Sequence, residues 1–216
     1  KIVCDNTFAS PYNQQPLTLG ADVVLHSSTK YLGGHSDIIG GAIIIKNDEQ
    51  LAEKIKYLQN AIGAVPSPFD CYMLIRSIKT LSVRMEKHNS NAMIISEHLS
   101  NHPKIKKVRY PGLKNDPNHN IAKSQMRGFG GIISVDLNTD LKGTLNFLES
   151  IEIFTLAESL GGVESLIEHP AIMTHASIEK NIREELGISD SLIRLSVGIE
   201  DAKNLVSALD KALNLI

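Results

Sequence analysis

A lysine between an apolar run and a glycine-rich segment is the first candidate for chemistry in this sequence. Lys30 follows the apolar residues 23–25 and three hydroxyl side chains, and an aspartate, Asp5, follows the apolar residues 2–4. Short apolar runs of this kind predict strands, and ligands of open α/β sheets bind at the carboxyl ends of the strands. We therefore expect the Lys30 amine and the Asp5 carboxylate at one rim of a sheet. An amine in such a place can attack an aldehyde and later act as an acid or a base.

Two hydroxyl residues, Ser27 and Thr29, lie just before the lysine. On an extended segment, residues two apart face the same side, so both hydroxyls could donate to one phosphate, whose burial needs donors. The alternative is that both hydroxyls cap local backbone groups. With Lys30 and Asp5 they match what pyridoxal 5′-phosphate (PLP) requires, namely a lysine for its aldehyde, an acid for its pyridine nitrogen and donors for its phosphate.

The sequence resembles the Cys/Met-metabolism PLP-dependent enzymes over essentially all 216 residues. That family includes cystathionine γ-lyase, to which the similarity is greatest, cystathionine β-lyase, cystathionine γ-synthase and methionine γ-lyase. The stretches that carry the resemblance are DNTF at 5–8, SSTKYLGGHSD at 27–37, GAVPSP at 63–68, AESLGG at 157–162, PAIMTHAS at 170–177 and IRLSVGIED at 193–201. The resemblance implies an α/β fold of the aspartate-aminotransferase type (PLP fold type I), incomplete at the amino terminus, with a smaller α/β carboxyl-terminal domain.

The resemblance also implies which residues hold the cofactor. Lys30 would carry PLP and act as the catalytic acid or base, and Asp5 would pair with the pyridine nitrogen. Ser27 and Thr29 would hold the phosphate. No metal ion is expected, because the eight histidines fall in no metal-binding pattern.

Three further residues would contact the substrate. Arg194 lies within an apolar run, where it is either a solvent-facing strand residue or, as the resemblance implies, the clamp on the substrate α-carboxylate, which a planar guanidinium matches bidentately. Ser159 would help to seat the substrate, although it could also cap a helix. Glu158 would face the distal end of the substrate, where a carboxylate could attract the distal ammonium of cystathionine, although a lone acid could equally be an exposed surface residue.

The implied activity is the α,γ-elimination of cystathionine to cysteine, 2-oxobutanoate and ammonia, a step of transsulfuration in the cytoplasm. The implied partners are a small-molecule sulfur amino acid and three further copies of the chain in a homotetramer, a dimer of dimers. The residues exclude neither β-elimination nor γ-replacement, so the other activities of the family stay open. A function of another class is an inactive fragment that serves as an assembly module. The family's upstream tyrosine, its glycine-containing phosphate loop, and the Tyr and Arg from a neighbouring subunit have no counterpart in this sequence.

Hydrophobic spacing predicts the elements that position these residues. Residues 2–4, 23–25 and 42–45 are expected to be core strands, the third antiparallel to the second because segment 31–41 is too short for a crossover helix. Further strands are predicted at 106–110, 131–136, 153–155 and 192–197, and helices at 49–62, 69–80, 83–99, 141–150 and 202–213. A boundary near residue 83 would divide residues 1–83, part of a large PLP-binding domain, from residues 84–216, a small domain.

Composition narrows the class of partner. Hydrophobic residues make up 42% and charged residues 21%, and the formal net charge is −2, so nothing favours nucleic acid or an anionic membrane over a small metabolite. No apolar run approaches membrane-spanning length. Cys4 and Cys71 lie in apolar stretches and predict buried free thiols in a reducing cytosol. The sequence opens on a predicted strand without an initiator methionine, so we expect residues to be missing upstream.

Overall fold

The computed structural model describes residues 1–216 as an α/β protein with two mixed sheets. The strands are β1 (Val3–Asp5), β2 (Val23–Ser27), β3 (Gly41–Ile45), β4 (Ile105–Arg109), β5 (Ile132–Leu137), β6 (Thr155–Leu156), β7 (Leu166–Glu168) and β8 (Leu192–Ser196). The helices are α1 (Ser10–Asn13), α2 (Glu49–Ile62), α3 (Pro68–Ile78), α4 (Leu81–Ser100), α5 (His119–Gln125), α6 (Leu141–Ser150), α7 (Lys180–Glu185) and α8 (Ala202–Leu213). None of the helices combines the length and apolar character that spanning a membrane requires.

The smaller sheet places the lysine. Its order is β1-β2-β3, with β1 parallel and β3 antiparallel to β2. A single helical turn, Ser28–Leu32, follows β2 directly, and Lys30 departs from helical backbone angles inside it. Asp5 pairs with Leu25 in the register of β1 and β2. The carboxyl ends of β1 and β2 therefore lie side by side, as the sequence predicts for Asp5 and the lysine turn.

The larger sheet has the order β4-β5-β8-β7-β6, and all its pairs are antiparallel except β6 with β7. Alternate residues of β5 and β8, such as Ile133 and Leu195, belong to a cluster of 19 buried apolar residues that also contains side chains of α4, α6 and α8. Ser134, Arg194 and Glu168 lie directly opposite one another on β5, β8 and β7. Because strand residues alternate between faces, these three project from the face away from that core. The middle of this second face is therefore polar, with Ile132 and Leu192 on either side of it.

Helix α4 connects the two sheets. Near its start, Arg84 donates through Nη1 to the carbonyl of Tyr31 at 2.7 Å. One turn later, His88 Nδ1 is 2.7 Å from the carbonyl of Val197 after β8, and the rings of His88 and Tyr31 meet edge to face with centroids 5.1 Å apart. The Tyr31 hydroxyl accepts from Gly131 N at 3.0 Å. Tyr31, the residue after the lysine, is thus fixed against the larger sheet.

Most predicted elements are confirmed. The five longer helices form within a few residues of their predicted bounds, β3 runs antiparallel to β2, and Ser67 caps α3 by accepting from Asp70 N. β1 extends to Asp5 rather than ending at residue 4, and the strand predicted at 153–155 is the two-residue β6. β7, α5 and α7 were not predicted, because three to seven residues are too few for a periodic pattern.

Two predictions about burial are wrong. β1 and β3 were expected to be core strands, yet Val3, Ile43 and Ile44 are exposed. A cavity lies between β3 and α2, so α2 does not cover that strand. Cys4 and Cys71 are free, as predicted, but half-buried rather than buried. The predicted boundary at residue 83 lies inside the first turn of α4 and stays a prediction.

Candidate active site

The Lys30 amine points to the loop that leads from β6 to β7. Its Nζ lies 3.0 Å from the hydroxyl of Ser159, and the side chain is partly buried. Burial lowers the pKa of Lys30, the positive charge of Arg194 lowers it further, and the negative charge of Glu168 opposes them. A lowered pKa makes the neutral, nucleophilic amine easier to reach. The predicted catalytic lysine and the predicted substrate residue Ser159 are therefore neighbours.

Arg194 holds the same loop from the other side. Its Nη2 donates to the carbonyl of Glu158 at 2.7 Å and lies 3.4 Å from the carbonyl of Ser159. The same nitrogen forms an ion pair with Glu168. Lys30, Ser159 and Arg194 thus form one cluster, while the side chain of Glu158 is exposed beside it.

A glycine allows this loop to approach the lysine turn. Gly161 has a φ of 78°, a conformation that side chains disfavour, and a Cβ added to it would lie 2.9 Å from Tyr31 N. Its own N–H donates to the hydroxyl of Ser196 at 2.9 Å. The AESLGG stretch therefore packs between the lysine turn and β8, which explains why this loop needs glycine.

Asp5 belongs to a second cluster at the end of β1. Hydrogen bonds from the hydroxyl and the backbone N–H of Thr7 hold the pKa of Asp5 below its usual value, and His26 adds a smaller effect in the same direction. The Thr7 hydroxyl oxygen also accepts from Ser27 N at 2.8 Å. Thr7 therefore ties the carboxylate to the end of β2.

The two predicted phosphate residues do not share an extended segment. Ser27 ends β2, whereas Thr29 lies in the helical turn, so the alternation of side chains along an extended strand does not hold for this pair. The Thr29 hydroxyl bonds to the backbone of Gly40, accepting from N at 3.0 Å and lying 3.4 Å from O. The local capping role considered for Thr29 is therefore present, and phosphate binding by Ser27 and Thr29 stays a prediction.

A cavity of about 440 Å³ lies between the two sheets, and of the two clusters only that of Asp5 lines it. Asp5 lines it from the smaller sheet, and Ser134, the cross-strand neighbour of Arg194, lines it from the larger sheet. The second face of the larger sheet thus meets the rim that carries Asp5.

Sequence reasoning missed two residues of the site. Glu168 carries no sequence signal, because its role depends on the pairing of β7 with β8. Thr7 lies two residues after Asp5 and donates its backbone N–H to that carboxylate at 3.0 Å, a local pattern typical of aspartates at turns. That spacing could have been recognised.

These groups fit PLP. The Lys30 amine has a lowered pKa, which suits attachment to an aldehyde. The Asp5 carboxylate is held in its ionised form, which suits pairing with a protonated pyridine nitrogen. Both conclusions come from the contacts of these side chains within the chain.

Curated proteins of three names resemble this chain at similar levels. A cystathionine beta-lyase of Coxiella burnetii is 60% identical over 211 residues, which are 98% of this chain and 54% of the relative. A cystathionine gamma-lyase of Dictyostelium discoideum is 55% identical over 99% of this chain and 55% of the relative. A cystathionine gamma-synthase of Mycobacterium tuberculosis is 54% identical over 99% of this chain and 54% of the relative. This chain therefore spans about half the length of the curated relatives it matches.

One family model covers almost the whole chain, although the relatives carry three different names. Residues 1–214 match the Cys/Met metabolism PLP-dependent enzymes, whose cofactor is pyridoxal phosphate. The match includes both clusters described above, with Lys30 and Asp5 near one end and Arg194 near the other. The chain belongs to the Cys/Met metabolism PLP-dependent enzyme family.

Proposed function

We propose that the complete protein is a PLP-dependent carbon–sulfur lyase that cleaves cystathionine by α,γ-elimination. With one water, this reaction yields cysteine, 2-oxobutanoate and ammonia. The observation that carries the proposal is the contact of Lys30 Nζ with the Ser159 hydroxyl at 3.0 Å, beside a loop that Arg194 holds. An amine and a guanidinium that contact the same loop suit a substrate that presents an α-proton next to an α-carboxylate.

Each residue of the site would have its own role in this reaction. When bound, PLP supplies a cationic ring that accepts the negative charge left after the α-proton departs. Lys30 would take and return protons through Nζ, with the Ser159 hydroxyl orienting the amine. Arg194 would bind the α-carboxylate. Asp5 would provide the negative charge for the ring nitrogen, since Thr7 keeps its carboxylate ionised, and Ser27 and Thr29 would contribute to the phosphate site.

The proposal also covers the architecture and the assembly. We propose PLP fold type I, with residues 1–83 in the large domain and residues 84–216 in the small domain, supported by the separate sheets of the two segments. By resemblance to the family, the protein would work in the cytoplasm as a homotetramer.

The alternatives are the other reactions that the relatives' names describe. Relatives with the three names are 54–60% identical to this chain, so sequence identity does not distinguish among β-elimination, γ-elimination and γ-replacement. Methionine γ-lyase and an inactive assembly module are further alternatives. Steady-state assays of the complete protein on cystathionine, homocysteine, cysteine and methionine distinguish the enzymatic reactions. For the 216-residue chain alone, visible absorbance after addition of PLP tests whether it holds the cofactor at all.

Replacement of the lysine is the direct test. In the complete protein, Lys30→Ala should lower turnover by at least ~10²-fold, because it removes both the cofactor's attachment point and the proton-transferring group. The visible absorbance of cofactor bound covalently to lysine should disappear. Lys79→Ala, at an exposed lysine, is the matched control and should keep both properties. Full lyase activity in Lys30→Ala would refute the proposed role.

Substitution of Glu158 tests which substrate the protein prefers. Glu158 is exposed beside the loop that Arg194 and Lys30 contact, so its charge is available to a ligand. Glu158→Ala should weaken the use of cystathionine more than that of methionine, which has no distal ammonium, by ~3- to 5-fold, the order of an exposed ion pair of up to about 1 kcal/mol. The measurement is kcat/KM for both substrates. Equal losses would count against this role.

A further inference from the structure

A buried carboxylate, Glu168, lies against the arginine of the site. It ends β7 directly opposite Arg194 of β8, and only 1% of its side chain is exposed. One of its oxygens pairs with Arg194 Nη2, and the other accepts from the hydroxyl of Thr174. Buried carboxylates need a partner that neutralises them, and Arg194 is the cation in contact with this one. The pair is therefore built into the fold.

The contacts of Arg194 are all made by one end of its guanidinium. Nη2 reaches the carbonyls of Glu158 and Ser159 and the carboxylate of Glu168, whereas the chain makes no hydrogen bond to Nη1 or Nε, of which Nε is buried. A guanidinium is a rigid planar fork, so fixing one terminal nitrogen fixes the direction of the other. The protein's own acceptors thus hold the arginine and leave Nη1 for a ligand.

We infer that Glu168 is a positioning residue that orients Arg194 through Nη2 for the α-carboxylate of the substrate, an inference that rests on the carboxylate-binding role proposed for Arg194. Such a residue contributes to binding the carboxylate rather than to the proton transfers. Its loss should therefore raise KM and leave kcat nearly unchanged.

The test uses the complete protein with its cofactor. Truncating one partner of a buried charge pair weakens binding substantially, so Glu168→Ala should raise KM for the amino-acid substrate at least ~10-fold while kcat changes less than ~3-fold. Butanoate and butanamide, nearly equal in shape and different in charge, serve as competitive inhibitors. Glu168→Ala should weaken butanoate and leave butanamide unchanged. Glu152→Ala removes an exposed carboxylate paired with Lys211 and is the control, with both inhibition constants unaltered.

Glu168→Gln keeps the size of the side chain and an oxygen for Thr174, and it decides the question if Glu168→Ala does not fold. The absorbance of covalently bound cofactor shows which variants are intact. Equal weakening of both inhibitors in the folded Glu168 variants, or no weakening, would mean a purely structural role and overturn the inference. Arg194→Met separates the two proposals: if it leaves the preference for butanoate intact, the role of Arg194 is wrong and the inference falls with it. If Arg194→Met abolishes the preference and the Glu168 variants keep it, the inference alone fails.

Discussion

The two regions of this chain bury their apolar side chains to very different extents. The carboxyl-terminal region, residues 81–216, packs one face of its five-stranded sheet into one core of 19 buried apolar residues. The amino-terminal region, residues 1–80, contributes only Tyr31 and Leu32 to a four-residue cluster that α4 completes with Leu81 and Met85. Helix α2 has no buried residue, and a cavity of about 950 Å³ lies between it and the smaller sheet.

The same hydrophobic spacing therefore has different outcomes in the two regions. Leu205 of α8 is fully buried, whereas Leu58, on the apolar stripe of α2, is 45% exposed. A stripe determines which face of a helix can be buried, but burial also needs a surface to pack against. The difference matters for the site, because Lys30 and Asp5 come from the region with little core and Arg194 and Glu168 from the region with a large one.

The two regions should differ most when each is produced as a separate fragment. Residues 81–216 alone should unfold in urea in one cooperative transition, because their core does not include the other region. Residues 1–80 alone should show none, since they lose the α4 half of their cluster. Near-ultraviolet circular dichroism and urea titration check both. A cooperative transition in fragment 1–80 would mean that this region has a sufficient core of its own.

A pair of leucine substitutions in the 216-residue chain measures the same contrast. Leu205→Ala should lower the free energy of unfolding by about 3 kcal/mol, because it opens a cavity at a fully buried position. Leu58→Ala, the matched change at a 45% exposed position, should lower it by less than about 1 kcal/mol. Urea-induced unfolding followed by far-ultraviolet circular dichroism gives both values. Equal losses would mean that α2 is packed as firmly as α8.

The junction between the regions should be sensitive to acid. Burial lowers the pKa of His88 from 6.5 to about 4, so the folded protein keeps this ring neutral while the unfolded chain takes up a proton. Stability is then unaffected above pH 6.5 and falls as the pH drops from 6.5 towards 4, by up to about 3 kcal/mol at about 1.4 kcal/mol per pH unit.

His88→Asn keeps an N–H donor for the carbonyl of Val197 and removes the titrating ring. The difference in unfolding free energy between pH 7 and pH 4 should be smaller in this variant than in the parent chain. Urea titrations at a series of pH values measure it. The same slope in both proteins would show that His88 does not couple the regions to pH.

Much of the site follows from local sequence. The lysine after a strand and the carboxylate at the end of its neighbour lie where the rule for α/β sheets predicts, because strand direction and strand ends are readable from short apolar runs. The helices follow from periodicity and caps, such as Ser67 before Pro68. Thr29 shows the limit of such reasoning, because the chain turns after Ser27 and the expected two-residue alternation ends there.

By itself, the sequence determined the family, the cofactor chemistry and the elements that carry Lys30, Asp5 and Arg194. Only the tertiary structure decided that Lys30 contacts Ser159, 129 residues away, and that Glu168 lies opposite Arg194 on the neighbouring strand. It also decided which apolar stripes are buried. The physical reason is that residue type and spacing set local conformation, whereas a charge's partner and a side chain's burial depend on segments that pack together from distant parts of the chain.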